Sequence, residues 1–206
     1  MANAHIPLQP GHTYHVWTHA NGSENLFIEK DNYHYFLDRY HHHVHPIVET
    51  FAYCLMPNHL HLMVRIKKED ELIQILDVAS SNPTGFENLS GLISKQFGNL
   101  FNAYTKAFNK KYGRKGSLFI RPFKRRLIDS DEYFVKLIAY IHNNPVHHGF
   151  VNNPNNWPFS SWHTYLMNEE TNISKQKAMA WFGTEDNFRV IHQQLNQDKM
   201  KDLFEE

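Results

Sequence analysis

The segment Met56–Val64 carries the residues best suited to chemistry, because it holds two histidines separated by one leucine. The run alternates as a β-strand does, and side chains two positions apart in a strand project from the same face. His59 and His61 are therefore predicted to share one face, while Leu60 and Leu62 reach the core from the other. Neutral imidazole is a common ligand of divalent metals. The spacing predicts half of a metal site, presented on the surface opposite the core.

Positive charge is concentrated in one segment, although the whole chain balances 21 Lys and Arg against 21 Asp and Glu. Residues 101–128 contain nine basic and no acidic residues. Such a basic stretch is the electrostatic signature of a nucleic-acid partner, even in a chain of zero net charge. The basic residues predicted to contact DNA are Arg114, Lys115, Arg121, Lys124, Arg125 and Arg126.

Composition limits the class of protein further. A length of 206 residues with 41% hydrophobic side chains suits one ordinary domain and an appendage. The only cysteine, Cys54, leaves no disulfide framework and no thiolate metal cluster. No signal peptide and no apolar run near about 18 residues is evident, so we expect a soluble cytoplasmic protein without a membrane partner. We predict a catalytic domain over residues 1–150 and a helical appendage over residues 151–206.

The elements that must position these residues alternate in the order β-α-β-β-α-β-α. This order predicts an α+β fold, a ferredoxin-like split βαβ antiparallel sheet with helices packed on one face, plus a C-terminal helical appendage. The predicted strands are Gly11–Thr18, Ile47–Leu55, Asn58–Ile66 and Ser117–Ile128. The predicted helices are one from Asp31, a short one within 67–88, Leu89–Asn109, one from Ser130 to the Asn-Asn-Pro stop at 143–145, and two weak ones at 175–182 and 185–204.

Several motifs together resemble one known family. The segments MPNHLHLMV, LFIRPFKRRLI, DEYFVKLIAYIHNNPVHHGFV and NWPFSSW are similar to the REP-associated tyrosine transposases, which belong to the single-strand insertion-sequence transposases of the HUH endonuclease class. The resemblance implies binding of single-stranded or hairpin DNA, a homodimer, and Mg²⁺ or Mn²⁺ held by His59 and His61. It also implies cleavage by a tyrosine, leaving a 5′-phosphotyrosine and a free 3′-hydroxyl.

The resemblance leaves two tyrosines as candidate nucleophiles. In insertion-sequence relatives the tyrosine lies on the helix after the last strand, with a polar ligand four residues later on the same helical face. Tyr140 and Asn144 match that spacing as nucleophile and third metal ligand. Tyr133, seven residues earlier, is the second candidate nucleophile, and His142 is an alternative ligand.

Phe123 keeps a different function open. Some relatives carry a tyrosine in the strand before this helix, at the position that here is Phe123, and a phenyl ring has no hydroxyl to attack with. The alternative is therefore a domesticated, catalytically inactive hairpin-binding protein of the same fold. A third hypothesis is a hydrolase that uses metal-activated water. It would need another carboxylate or histidine near the pair.

Overall fold

The computed structural model describes residues 6–76 and 85–195. Two single-turn 3-10 helices, His45–Ile47 and Pro154–Asn156, join longer elements. The strands are β1 (Thr13–His19), β2 (Val48–Met56), β3 (His59–Ile66) and β4 (Lys124–Ile128). The α-helices are α1 (Lys30–His43), α2 (Glu69–Ile75), α3 (Gly85–Lys111), α4 (Asp131–His147), α5 (Trp162–Leu166), α6 (Lys175–Phe182) and α7 (Glu185–Leu195).

The described strands form one antiparallel sheet in the order β2-β3-β1-β4. The two central strands, β1 and β3, are not consecutive in the chain, because α1 connects β1 to the outer strand β2. In the same way, α3 leads from β3 to β4 at the opposite edge. This interleaved order is the ferredoxin-like split βαβ arrangement, so the predicted α+β fold is confirmed.

The two faces of the sheet belong to two different hydrophobic cores. Alternate strand residues such as Val16 and Leu62 pack with α1 and α3 on one face, as predicted for the helices of the ferredoxin-like unit. The opposite face packs against α4, with Met63 and Ile138 among its buried residues. Helices α6 and α7 cover the far side of α4. The predictions that the helices pack on one face of the sheet and that the face of His59 is presented on the surface are therefore wrong, since α4 covers that face.

Helix α4 ends later than the sequence predicts. Its start is capped by the Ser130 hydroxyl, which accepts a hydrogen bond from the Tyr133 backbone N–H at 3.3 Å. The predicted stop at residues 143–145 is wrong, because the helix continues to His147 with Pro145 inside it. A proline in the last turn removes few intrahelical bonds, and the His148 N–H still donates to the Asn144 carbonyl at 3.0 Å. Asn144 is thus an internal helix residue rather than a cap.

Strand β4 is shorter than the predicted Ser117–Ile128. The ladder with β1 runs only over Lys124–Ile128, because Pro122 has no N–H to give to it. The predictions at residues 77–84 and 196–204 lie outside the described residues. Across the described ranges, no helix is long and apolar enough to cross a membrane.

Candidate metal and tyrosine site

The pairing of β1 with β3 places a second set of histidines beside the predicted pair. Trp17 lies opposite His61, and His19 lies opposite His59. Opposite residues of an antiparallel pair share a face, so His15 and His19 project on the same side as the β3 histidines. The sequence patterns did not predict these neighbours, because they do not determine the register in which β1 pairs with β3. The alternation of His15, Trp17 and His19 along β1 was the signal that could have found them.

One ring nitrogen of His61 has a hydrogen-bond partner, and the other has none among the described residues. Its Nδ1 lies 2.9 Å from Nε2 of His15. Its Nε2 has no hydrogen-bond partner among the residues that the structure describes. The side chain is fully buried, and this burial, reinforced by the nearby His15 and His59, lowers the pKa of His61 well below its ordinary value. His61 is therefore a neutral imidazole at pH 7, the form that can bind a metal.

His59 is held in a comparable way. Its Nδ1 lies 2.7 Å from the side-chain oxygen of Asn58, and its Nε2 lies 3.4 Å from the Oδ1 atom of Asn144. The second distance is too long for a strong hydrogen bond. The rings of His19 and His148 flank His59, with centroids 4.7 Å and 4.6 Å away. Both flanking histidines are only half-buried, so they form the rim of the site.

Tyr140 joins this cluster from α4. It lies four residues before Asn144, so both side chains project from the same side of the helix toward the sheet. Its ring centroid lies 5.6 Å from that of His61 and 6.4 Å from that of His15, in edge-on geometry. The exposed fraction of Tyr140 is 0%. The structure therefore brings together the predicted ligands and the first-choice tyrosine; their roles stay predictions.

The other two candidates on α4 have different contacts. The Tyr133 hydroxyl accepts a hydrogen bond from Arg126 at 3.4 Å, and burial raises the pKa of Tyr133 against the opposing effect of that guanidinium. His142 turns to the far side of the helix, where its ring contacts His192 at 3.0 Å and Ser161 at 2.8 Å. The structure does not bring His142 to the histidine pair of β3.

Phe123 lies on the other side of the sheet from the histidines. Its ring packs against Phe97 and Phe101 of α3, with centroid distances of 5.4 Å and 5.7 Å. A hydroxyl on this ring would therefore face the core below α3 and not His59 or His61. The position that carries a tyrosine in some relatives is, in this chain, a partly buried phenylalanine that packs against the hydrophobic core.

The basic residues of β4 divide between the two faces of the sheet. Arg126 lies opposite His15 and Lys124 lies opposite Trp17, so both share the histidine face. Lys124 is exposed and Arg126 is half-buried. Arg125 projects to the other side, where it is buried and donates to the Ser94 hydroxyl at 3.3 Å. Of the three, Lys124 and Arg126 lie on the histidine face, and a DNA contact by any of the three stays a prediction.

The basic residues before β4 have different surroundings. Arg114 makes an ion pair with Glu24, in which its Nε donates at 2.7 Å, and it also donates to the Ser117 carbonyl at 2.9 Å. These contacts fasten the turn after α3. Arg121 is exposed and donates to Asn102, and Lys115 is exposed. A DNA contact by any of these three stays a prediction.

The side chains of this site provide three metal ligands only if the amide of Asn144 is counted with the two histidines of β3. Within residues 6–76 and 85–195, no group of three or more His, Cys, Asp and Glu side chains could hold a metal ion. The set that fits is His59 and His61 with the Asn144 amide oxygen. Two of its buried atoms, His61 Nε2 and Asn144 Nδ2, have no hydrogen-bond partner in the described part of the chain. Buried polar atoms are normally paired, so two exceptions at one place point to a ligand.

The fold and the site define a ferredoxin-like α+β protein with histidines, a tyrosine and an asparagine on one face of its sheet. No known protein-family profile matches the chain. It is 30% identical over 118 residues to a Haemophilus influenzae protein whose name places it among the REP-associated tyrosine transposases. That match covers 56% of this chain and 59% of the relative, so the chain spans somewhat more than half of the relative's length.

One solved structure is also similar, a REP-associated tyrosine transposase bound to a REP hairpin. The two folds agree with a TM-score of 0.53 over 78% of this chain and 82% of the other, at 18% identity. At that identity the agreement concerns the fold. The resemblance to REP-associated tyrosine transposases, inferred from the sequence motifs, is confirmed.

Proposed function

We propose that the chain binds hairpin or single-stranded DNA and cleaves and rejoins it through Tyr140, as a transposase. His59, His61 and Asn144 would hold Mg²⁺ or Mn²⁺ beside the tyrosine. The observation that carries the proposal is the meeting of these four side chains from β3 and α4, with an open nitrogen on His61. The proteins that this chain resembles support the substrate, since one is named a tyrosine transposase and the other is bound to a REP hairpin.

The proposed chemistry is a phosphoryl transfer to the tyrosine. The Tyr140 oxygen forms a bond to the phosphorus, and the bond from phosphorus to the 3′ oxygen breaks. Tyr140 loses its phenolic proton and the leaving 3′ oxygen gains one, so the products are a 5′-phosphotyrosine and a free 3′-hydroxyl. A bound divalent ion would polarise the phosphate and neutralise its developing charge. The covalent intermediate conserves the bond for later rejoining.

The DNA backbone would approach across the histidine face of β4. Lys124 and Arg126 lie on that face, and the half-buried His19 and His148 form the rim next to His59. Cationic side chains that neutralise phosphates release counterions, so binding should weaken steeply as salt increases. Arg125 is buried on the opposite face of β4, so it would stabilise the strand through packing.

A denaturing-gel assay with a labelled hairpin oligonucleotide and Mn²⁺ tests the proposal. We expect a covalent protein–DNA adduct with the unaltered chain and none with Tyr140→Phe or His59→Ala. Tyr133→Phe is the matched control, because it removes a hydroxyl from the same helix, and it should retain the adduct. An adduct that persists in Tyr140→Phe and disappears in Tyr133→Phe would overturn the choice of nucleophile.

Burial of the site favours a second candidate, a hairpin-binding protein that does not cleave. The exposed fractions of His59, His61 and Tyr140 are 1%, 0% and 0%, so a phosphate reaches them only if α4 or the rim moves. This candidate predicts salt-sensitive hairpin binding with no adduct in Mg²⁺ or Mn²⁺. A hydrolase that uses metal-activated water is less well supported, because the described residues offer no third His, Cys, Asp or Glu ligand.

We also propose that the chain forms a homodimer. Strand β4 lies at the edge of the described sheet, and an edge strand has backbone groups that a second copy can pair with. Light scattering of the purified chain, with and without the hairpin, measures this directly. The division at residue 150 and the cytoplasmic location stay predictions.

A further inference from the structure

We infer that His15 is a positioning residue for the metal site, because it holds the ring proton of His61 on Nδ1 and so leaves Nε2 free to bind the ion. The inference rests on the proposed function for the identity of the ion. The contact itself is independent of that proposal, since His15 Nε2 lies 2.9 Å from His61 Nδ1 in the interior of the protein.

The direction of this hydrogen bond decides what His61 can do. If His15 donated the proton, His61 would carry its own proton on Nε2, where no described residue accepts it. A protonated ring nitrogen cannot bind a metal. If His61 donates from Nδ1, its Nε2 carries a lone pair, and His15 carries its own ring proton on Nδ1. Of the two arrangements, only the second leaves His61 Nε2 able to bind the proposed metal.

His15 is well held for this role. It lies in the central strand β1, opposite Met63 of β3, and it is fully buried. Its ring stacks on Trp17 with a centroid distance of 4.4 Å and an interplanar angle of 20°. A rigid partner of this kind fixes both the orientation and the tautomer of a ligating histidine.

The other proposed imidazole ligand is arranged in the same way. His59 Nδ1 lies 2.7 Å from the Asn58 side-chain oxygen, which leaves Nε2 of His59 toward Asn144. Each histidine of β3 therefore has its Nδ1 engaged by a partner and its Nε2 directed into the same space. Two independent partners with the same effect favour a positioning role for His15 over a packing role alone.

Nitrogen-15 NMR of the histidine rings tests the inference without any metal. We expect His61 to be the Nδ1–H tautomer in the unaltered chain and to lose that preference in His15→Phe, which keeps a flat ring but accepts no hydrogen bond. His15→Gln, whose amide oxygen can accept the proton, should restore it. An Nε2–H tautomer of His61 in the unaltered chain, or an unchanged tautomer in His15→Phe, would overturn the inference.

Mn²⁺ affinity, measured by electron paramagnetic resonance, gives the second readout. We expect His15→Phe to weaken binding about 10-fold to 100-fold, the range for partners behind a metal ligand, and His15→Gln to recover most of it. His192→Phe is the matched control, since it removes a buried histidine–histidine bond of 3.0 Å away from the site, and it should change affinity less than twofold. Equal Mn²⁺ binding by His15→Phe and the unaltered chain, with loss in His59→Ala, would overturn the role of His15 and leave the proposed function standing. No Mn²⁺ binding by the unaltered chain would instead overturn the proposed metal site.

Discussion

Two buried histidine pairs lie on opposite sides of α4, and they differ in whether their hydrogen bonds are complete. His15 and His61 lie on the sheet side, with ring nitrogens 2.9 Å apart. His142 and His192 lie between α4 and α7, with ring nitrogens 3.0 Å apart. All four side chains are at most 2% exposed, so burial and bond length alone do not separate the two pairs.

The pair on the α7 side is complete. The His192 Nδ1–H donates to the Phe188 carbonyl at 2.6 Å, so its Nε2 accepts the proton of His142 Nδ1. His142 Nε2 then accepts from the Ser161 hydroxyl at 2.8 Å. Every ring nitrogen has a partner, which leaves nothing for a ligand, whereas His61 Nε2 has none in the described residues. The comparison teaches that an imidazole nitrogen without a hydrogen-bond partner, more than the burial of a histidine, distinguishes the side of α4 with the proposed metal site.

The largest expected effect contrasts the two pairs in DNA cleavage. His61→Ala removes a proposed ligand, so we expect adduct formation to fall by at least about 100-fold, the upper range for the partners behind a ligand. His142→Phe removes a histidine of the complete pair, and the folded fraction should keep its rate within a few-fold. Adduct yield over time on a denaturing gel measures both. Equal losses in the two variants would remove the distinction between the pairs.

The next effect concerns how the free energy of unfolding depends on pH through the pair on the α7 side. Burial lowers the pKa of His192 to about 3, from an ordinary value of 6.5. The unfolded chain therefore binds more protons between these values, and stability is fully present above about pH 6.5 and decreases as the pH falls below it. At pH 5 this one group should cost about 2 kcal/mol relative to pH 7.

Urea unfolding at pH 7 and pH 5, compared between the unaltered chain and His192→Phe, measures that contribution. Phenylalanine cannot take up a proton, so the variant should lose less stability on acidification, although its stability at pH 7 is lower. If both proteins lose the same free energy of unfolding, burial does not lower the pKa of His192 as expected.

The smallest expected effect concerns the contact of DNA with the surface next to His15 and His61. Lys124→Ala should reduce the slope of the logarithm of hairpin affinity against the logarithm of salt concentration by about 0.7 to 0.9, the value for one phosphate contact. Lys115→Ala, at an exposed lysine in the turn after α3 that is also predicted to contact DNA, is the comparison and should change the slope less. Fluorescence anisotropy over a salt series provides the slopes. A larger change for Lys115 would place the DNA along the turn after α3 instead.

The sequence predicted the parts of this site that lie within single elements. The alternation of β3 placed His59 and His61 together, and the helical spacing placed Tyr140 and Asn144 on one side of α4. Both kinds of pattern depend only on local geometry. They were sufficient to bring the main candidates of the site to the same face of the fold.

What the sequence did not predict depends on how the elements pack. The partnership of His15 with His61 requires the register of β1 against β3, which no local pattern contains. The burial of the histidine face could not be predicted without the position of α4, which covers that face. The turning of His142 toward His192 depends on the position of α7, fifty residues along the chain. In each case the decisive contact joins residues far apart in sequence.

The most direct test of the central claim is mass spectrometry of trypsin-digested protein after incubation with the hairpin and Mn²⁺. Cleavage after Lys136 puts Tyr133 and Tyr140 on different peptides, so the modified tyrosine is identified without any substitution. We expect a nucleotide mass on the peptide that begins at Leu137, with fragments that assign it to Tyr140. A nucleotide on Tyr133, or tight hairpin binding with no modified peptide in Mn²⁺ or Mg²⁺, would contradict the claim.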